Sequence, residues 1–282
     1  MTEEPSANAA QIDFWNAENG GAVWAALHNQ MDRQLAPLGE AAIAALAPRP
    51  GEAVLDIGCG CGATSLALAA HVGPTGRVLG LDISEPMLAT ARRRAEGLGH
   101  PLTFEIADAQ TADLGEAAFD ALFSRFGVMF FAEPEAAFAN LHRALKPEGR
   151  LAFICWRGRE ENPWLTTPLE AARHLLPPLP EPEPYAPGPM AFADPARVHR
   201  ILATAGFADI RVTAFDTMIG SGDLEETTVL ATRIGPLARA LREHPEARET
   251  VPGVVRQALS PYLTEAGVMM PAATWLVQAA RG

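Results

Sequence analysis

The sequence has few cysteines and few basic residues, and each shortage excludes a class of protein. Its 282 residues include three cysteines, too few for a disulfide framework or a four-ligand zinc site. Cys59, Cys61 and Cys155 are therefore expected to be small buried thiols in a reducing compartment. With 22 Lys and Arg against 34 Asp and Glu, the formal net charge is −12. Such a chain gains little from a nucleic-acid backbone, so we expect no nucleic-acid partner.

Long apolar runs are missing as well. No stretch reaches the ~18 apolar residues of a membrane-spanning helix. The N-terminal stretch MTEEPSANAA is acidic rather than apolar, unlike a signal peptide, and it predicts a loose tail over residues 1–10. We therefore expect a soluble, cytoplasmic protein without a membrane span and without a bound metal. Because 48% of the residues are hydrophobic, a sizeable core is possible.

The sequence does contain a strict alternation of strand and helix patterns between residues 53 and 156. Apolar runs that end in turn signals predict the strands. Because these strands are apolar nearly throughout, we expect an α/β fold with a mainly parallel sheet and helices on both faces. The predicted strands are 53–58, 77–82, 102–108, 119–125 and 150–156, and the predicted helices are 63–72, 84–97 and 133–145.

The rest of the chain departs from that alternation. Pro37 is expected to interrupt a helical stripe in residues 19–46, and seven of the thirteen residues 177–189 are proline, which is typical of a stiff spacer. Helical patterns with proline breaks fill residues 223–266. We therefore divide the chain into an N-terminal helical cap (1–48), a core (49–222) with a lid-like insert (157–190), a helical insert (223–270) and a final core strand (271–282).

Three glycines follow the first predicted strand at alternate positions. Gly58, Gly60 and Gly62 stand between a strand and a helix, where a backbone without side chains can approach a ligand closely. The glycines alone also fit the phosphate loop of a nicotinamide-dependent oxidoreductase. Asp56 argues against a pyrophosphate, because a helix N-terminus that binds phosphate favours positive potential. A carboxylate there suits a ligand with a cationic end, such as an ammonium group.

Two further acids end the next two predicted strands. Asp82 can accept hydrogen bonds from the two hydroxyls of a ribose. Asp108 can accept from an adenine amino group, while the amide of Ala109 meets a ring nitrogen. Since the carboxyl ends of parallel strands share one crevice, these residues should converge. Adenine, ribose and an amino-acid tail without phosphate describe S-adenosyl-L-methionine.

The sequence resembles the class I S-adenosylmethionine-dependent methyltransferases. The stretches VLDIGCGCG, VLGLDIS, IADAQ, FDALFSRFGVMFF and LKPEGRLAFICW follow the order and spacing of that family over residues 50 to 215. The likeness is greatest to the branch with ubiquinone/menaquinone C-methyltransferases and related small-molecule enzymes. It implies a Rossmann-like sheet of seven strands, the last one (274–280) antiparallel. The long helical insert before that strand departs from the quinone-type pattern, which puts a quinone substrate in doubt.

The resemblance also implies a cofactor site. Ser124 would offer its backbone carbonyl to the methionine ammonium, and Asp56 would lie beside the methionine part. Transfer of the methyl group would leave S-adenosyl-L-homocysteine as the product. The implied cofactor residues are Asp56, Gly58, Gly60, Gly62, Asp82, Ile83, Met87, Asp108, Ala109 and Ser124.

Fewer sequence signals indicate the residues that bind the methyl acceptor than those that bind the cofactor. The inserts and the N-terminal helices should enclose a small-molecule acceptor, although ordinary core packing explains each aromatic residue there equally well. His28 and His142 stand closest to the expected mouth of the site. We assign no catalytic residue. Asn162, in the stretch NPW, is interpreted as a helix cap. The candidate pocket residues are Trp15, Trp24, Arg125, Phe126, Phe130 and Trp164.

Two other functions stay open on the sequence alone. A non-catalytic subunit that binds S-adenosylmethionine for regulation would use the same residues as an enzyme. A nicotinamide-dependent oxidoreductase would use the glycine loop as a phosphate site. A homodimer formed through residues 223–266 is a further alternative to an acceptor site there.

Overall fold

The structure is a computed structural model that describes residues 8–99, 101–178 and 183–282. Residues 1–7 of the expected tail, and part of the proline-rich stretch, lie outside the described residues. From Asn8 onward the expectation of a loose tail is wrong. Asn8 is 3% exposed, and a helix begins at Ala9. Among the described helices, none is long and apolar enough to cross a membrane.

The described elements follow the predicted alternation in the middle of the chain. The strands are β1 (Ala53–Ile57), β2 (Arg77–Asp82), β3 (Leu102–Ile106), β4 (Phe119–Arg125), β5 (Leu145–Trp156), β6 (Ala208–Gly220), β7 (Leu263–Thr264) and β8 (Gly267–Ala280). The α-helices are α1 (Ala9–Asn16), α2 (Gly21–Ala26), α3 (His28–Leu46), α4 (Ala63–Val72), α5 (Glu85–Ala95), α6 (Pro134–Ala144), α7 (Pro163–Ala172), α8 (Pro195–Thr204), α9 (Leu224–Arg233), α10 (Pro236–Glu243) and α11 (Val251–Leu259).

The sheet is doubly wound. Its strand order is β3-β2-β1-β4-β5-β8-β6, and the two-residue β7 pairs with β8 outside this path. β1 to β5 pair in parallel, whereas β8 runs antiparallel to both of its neighbours. This confirms the expected α/β fold with an antiparallel last strand. Because the strand order reverses at β1, the crevice outside the carboxyl ends of β1 and β4 is the expected place for a ligand.

β6 and β8 are much longer than the sequence pattern indicates. The pairing of β8 with β5 stops at Trp156 and Thr274, but its pairing with β6 continues to Gly220 and Met269. This two-stranded ribbon therefore extends beyond the carboxyl edge of the sheet. The helical insert begins at its tip, so the ribbon carries the insert over the crevice.

Pro37 does not interrupt its helix. α3 continues from His28 to Leu46 through the proline. Its buried face, which includes Met31, Leu35 and Leu38, packs against β4, β5 and β6. A proline inside a helix costs about 3 kcal/mol. Burial of several large apolar side chains, at about 1.5–3 kcal/mol each, offsets that cost.

The helical insert has a small core of its own. Val251, Val255 and Leu259 of α11 are fully buried, and α11 packs against α7 and α9. Asn162 stands in the position before α7, but its side chain does not cap that helix. Instead its amide donates to the carbonyl oxygen of Ala273 (3.1 Å) and its side-chain oxygen accepts from the amide of the same residue (3.0 Å). These bonds fix α7 to β8.

Candidate functional site

The glycine loop connects β1 to α4 in a backbone conformation that side chains disfavour. Gly58, Gly60 and Gly62 have φ angles of 66°, 55° and 80°, in the region that only glycine adopts readily. A Cβ atom at Gly58 would lie 2.7 Å from the Cα of Gly127, and one at Gly60 would lie 2.7 Å from the methyl of Met87. The loop therefore needs glycine for its turn and for its close approach to neighbouring segments.

Asp82 holds this loop at the end of β2. Its carboxylate accepts hydrogen bonds from the amides of Gly60 (2.8 Å) and Ser84 (2.9 Å). Burial raises the pKa of Asp82, and these amide donors oppose that rise. A carboxylate has about four acceptor positions. Asp82 lines a cavity at the carboxyl edge of the sheet, so its remaining positions are available to a ligand.

Asp108 follows β3 and lines the same cavity. Its oxygens accept from the side-chain amide of Asn8 (2.9 and 3.0 Å) and from the amide of Gln110 (2.9 Å). Asn8 also accepts a hydrogen bond from the amide of Ala132 (2.8 Å). Asn8 was missed as a site residue, because its partner lies a hundred residues away in the sequence.

Asp56 lies beneath the loop and not among the residues that line the cavity. One carboxylate oxygen accepts from the hydroxyls of Thr64 (2.7 Å) and Ser65 (2.6 Å), which joins β1 to α4. The other oxygen is buried without a hydrogen-bond partner among the described residues. Burial raises the pKa of Asp56 to about 6, against the opposing effect of the two hydroxyls. Its contact with a ligand's ammonium group stays a prediction.

Gly62 and Ser124 also lie behind the cavity wall. The hydroxyl of Ser124 donates to the carbonyl of Ile57 (2.7 Å) and accepts from the amide of Gly127 (3.2 Å). These bonds join the ends of β1 and β4 at the point where the strand order reverses. Ser124 therefore has a clear structural role, and the ligand contact of its carbonyl stays a prediction.

The cavity has a volume of about 250 Å³ and lies between the carboxyl edge of the sheet and the helical insert. It brings most of the predicted residues together. From the cofactor set, it is lined by Gly58, Gly60, Asp82, Ile83, Met87, Asp108 and Ala109. From the acceptor set, it is lined by Trp15, Trp24, Arg125, Phe126, Phe130 and Trp164.

Aromatic rings form part of the wall. Trp15 meets Trp24 and Phe130 edge to face, with centroids 5.6 and 5.2 Å apart. Phe126 stacks on Trp156 at 4.2 Å and 8°, and Trp156 contacts Trp164. Phe126 has a positive φ of 65°, which is unfavourable for a side chain of this size. Trp156 was missed by the sequence reasoning, because it resembles an ordinary strand residue.

Arg125 is nearly buried at the end of β4. Its guanidinium lies 3.8 Å from Asp32 of α3, and its side chain is 14% exposed. Asp32 is also paired with Arg94 at 2.7 Å. Burial lowers the pKa of Arg125, and the charge of Asp32 opposes this shift.

The two histidines near the expected mouth lie in different places. His28 lines the cavity, and its Nδ1 is 2.8 Å from the carbonyl oxygen of Ala25. His142 is not among the lining residues; it bonds the carbonyl of Arg281 (2.7 Å) and packs on Phe207.

The three cysteines are free and buried. Burial raises the pKa of the Cys61 thiol to about 12 and that of Cys59 well above its usual value. These thiols are therefore packing residues rather than nucleophiles. Among the residues that the structure describes, no group of three or more His, Cys, Asp or Glu could hold a metal ion.

Residues 54–149 match a family model described as a methyltransferase domain. This segment is similar to a methyltransferase domain. Nocamycin O-methyltransferase of Saccharothrix syringae is 39% identical over 108 residues, which are 38% of each chain. Demethylmenaquinone methyltransferase of Thermus thermophilus is 41% identical over 101 residues, 36% of this chain and 46% of that protein. The chain thus spans less than half the length of these curated relatives.

The likeness in fold extends beyond the matched segment. A solved structure of a candidate methyltransferase from Bacillus halodurans C-125 matches with a TM-score of 0.56 and 19% identity. The match covers 86% of this chain and 98% of that one. At this identity the likeness shows the fold alone. The resemblance read from the sequence motifs is confirmed.

Proposed function

We propose that this chain binds S-adenosylmethionine at the glycine-loop end of the cavity and transfers its methyl group to a small-molecule acceptor. The observation that carries the proposal is the convergence of Asp82, Asp108 and the glycine loop on one cavity. Two carboxylates suit the hydroxyl and amino donors of an adenosine. They do not suit the phosphates of a nicotinamide cofactor.

The hydrogen-bond donors and acceptors of the site fit this cofactor. Asp82 uses two of its about four acceptor positions on backbone amides and would use the others on the ribose hydroxyls. Asp108 would accept from the adenine amino group, beside the amide of Ala109. Ile83 and Met87 line the cavity next to Asp82 and would pack against the base. The unpaired oxygen of Asp56 supplies negative charge behind the loop, on the side proposed for the ammonium.

The bound cofactor would supply a methyl group on a positively charged sulfur, which is already an efficient leaving group. The residues of this chain then have to align the acceptor with that methyl and exclude water. Trp164 and Phe126 line the acceptor end of the cavity, and Leu230 and Ile234 of the insert line it as well. An apolar wall of this kind supports a small organic acceptor.

We also propose a partner class, a location and a domain division for this chain. The net charge of −12 supports a function without nucleic acid. Three free cysteines support a reducing, cytoplasmic location. The ribbon of β6 and β8 supports the division into core and insert, since it carries the insert away from the sheet. Light scattering, which measures the molar mass in solution, would test for a homodimer through the insert.

Calorimetry with three ligands tests the proposed function. We expect S-adenosylmethionine and S-adenosylhomocysteine to bind in the micromolar range, and NAD not to bind. Binding of NAD alone would refute the proposal. A second assay follows release of S-adenosylhomocysteine in the presence of small-molecule acceptors. Tight cofactor binding without release for any acceptor would instead indicate a regulatory binding subunit.

A further inference from the structure

Three polar side chains at the acceptor end of the cavity have hydrogen-bonding capacity that no described residue uses. His28, Gln34 and Arg125 all line the cavity. Gln34 is 8% exposed, and its amide makes no hydrogen bond with a described residue. Unused donors and acceptors on the wall of a largely apolar cavity are positions at which a ligand can bind. These three side chains therefore indicate the polar end of a ligand.

The orientation of His28 is fixed by the backbone. Its Nδ1 lies 2.8 Å from the carbonyl oxygen of Ala25, so Nδ1 carries the proton in the neutral ring. Nε2 then has a lone pair, and it makes no hydrogen bond with any residue that the structure describes. Such a nitrogen can accept a proton from a ligand.

Arg125 gives this end of the cavity hydrogen-bond donors that no described residue uses. Its guanidinium makes no hydrogen bond with a described residue, and its ion pair with Asp32 is long, at 3.8 Å. Asp32 is already paired with Arg94 at 2.7 Å. The buried carboxylate of Asp56 also acts on Arg125, so these charges nearly balance. The unused N–H groups of Arg125 favour a ligand oxygen that accepts hydrogen bonds, and they disfavour a protonated amine.

The polar cluster lies within an apolar chamber. Met31 and Leu35 of α3, Trp164 of α7 and Met270 of β8 line the same cavity. In such surroundings the interaction of a guanidinium with an oxyanion is stronger than in water. The ligand should therefore be an apolar molecule with one acidic oxygen.

We propose that the methyl acceptor is an apolar phenol or enol, with Arg125 and Gln34 binding its oxygen and His28 removing its proton. This inference rests on the proposed function. The hydroxyl proton passes to Nε2 of His28, and an oxygen lone pair forms the new bond to the methyl carbon. The carbon–sulfur bond breaks with its electron pair going to sulfur, which becomes neutral. The imidazolium then returns its proton to water.

A matched pair of probes tests the oxygen site. We would titrate the protein saturated with S-adenosylhomocysteine with 7-hydroxycoumarin and with its ether, 7-methoxycoumarin, by calorimetry. The hydroxyl probe should bind about tenfold more tightly than the ether, because a hydrogen bond to a charged group is stronger than one between neutral groups and the ether has no proton to donate. Arg125→Met should abolish this difference, and Arg125→Lys should retain part of it. Arg92→Met is the control, because Arg92 is exposed and paired with Glu85.

Ionisation of the same probe tests His28. The phenolate of 7-hydroxycoumarin absorbs at a different wavelength from the phenol, so the bound ratio can be read without turnover. We expect the phenolate-to-phenol ratio of the bound probe to fall about tenfold in Arg125→Met and in His28→Gln. His199→Gln is the control, because His199 is an exposed residue of α8. An unchanged ratio in His28→Gln would refute its role as the base.

Two results would overturn the inference. One is equal binding, or no binding, of the two probes by the wild type. The other is a loss of affinity for S-adenosylhomocysteine but not for 5′-methylthioadenosine in Arg125→Met, which would assign Arg125 to the carboxylate of the cofactor. Failure of the wild type to bind S-adenosylhomocysteine would refute the proposed function itself, so the two failures are distinguishable.

Discussion

The two ends of the cavity are built in different ways. The glycine-loop end comes mainly from the carboxyl ends of β1, β2 and β3, and apart from Asn8 its residues lie between positions 57 and 109. The acceptor end is assembled from α3, β4, α7, α9 and β8, which span residues 28 to 280. The first end is therefore encoded by neighbouring segments. The second exists only when distant segments meet.

The two ends also differ in the polar groups they present. Asp82 and Asp108 offer hydrogen-bond acceptors at the glycine-loop end. Arg125 offers hydrogen-bond donors at the acceptor end, while Arg94 is held by Asp32 and by the carbonyl of Cys61 in the glycine loop. A ligand pair with hydroxyl and amino donors at one end and an oxygen acceptor at the other would match both. A change at one end should therefore leave the other end intact.

The largest effect is expected from Asp82→Ala. The variant loses the acceptors proposed for two ribose hydroxyls, at about 1.5–3 kcal/mol for each hydrogen bond to a charged group. It also releases the amide of Gly60. Calorimetry should show that the Kd of S-adenosylhomocysteine rises by about tenfold or more. Glu105→Ala, at an exposed position of β3, is the matched control. Unchanged affinity in a folded Asp82→Ala would reject the ribose assignment.

A pH-dependent effect is expected from Asp56→Asn. The pKa of Asp56 in the folded protein is about 6, raised from 3.8 by burial. The protonated form is thus favoured by folding, and this stabilising contribution is lost as the pH rises through 6. The wild type should lose about 2.5 kcal/mol of unfolding free energy relative to the variant between pH 4 and pH 8.

Urea denaturation of both proteins at several pH values measures this difference. All other titrating groups are common to the two proteins, so their contributions cancel. Curves that stay parallel between pH 4 and pH 8 would show that Asp56 ionises normally in the folded state.

The sequence predicted the glycine-loop end well because its signals are local. The bounds of α4, β2 and β4 agree with the expected ones. Asp82 and Asp108 converge because parallel strands place their carboxyl ends at one edge. Their roles toward a ligand remain predictions.

The acceptor end was predicted only as a set of candidate residues. Trp156 and Gln34 carry no local pattern, and their place in the cavity depends on β8 and the insert. The continuous α3 and the long ribbon of β6 and β8 were also missed. Burial of α3 against the sheet offsets the cost of Pro37, and no sequence window includes both partners of such a contact.

A smaller effect, confined to the acceptor end, is expected from Ala231→Phe. Ala231 of α9 lines the cavity, and a phenyl ring there would fill space proposed for the acceptor. Affinity for 7-hydroxycoumarin should fall about tenfold, while affinity for S-adenosylhomocysteine changes by no more than about threefold. Ala139→Phe, at an exposed position of α6, controls for the added ring. An equal loss of both ligands would mean that the two ends are one site.

The smallest effect is expected from Arg33→Met, which removes an exposed contact between α3 and α9. Arg33 donates to Glu226 (2.8 Å) and to the carbonyl of Ser221 (2.9 Å). The two charged side chains are 51% and 41% exposed, so solvent and salt screen their attraction. Arg33 is changed rather than Glu226, because Glu226 also forms the capping box of α9 with Asp223.

Arg33→Met should weaken 7-hydroxycoumarin binding by about twofold and leave S-adenosylhomocysteine binding unchanged. The reason is that Arg33 contacts α9, which belongs to the acceptor end. High salt should reduce the difference from the wild type. Arg92→Met removes a pair of similar exposure within α5, with side chains 41% and 50% exposed, and should change neither affinity. A larger loss at the glycine-loop end than at the acceptor end would contradict the separation of the two ends.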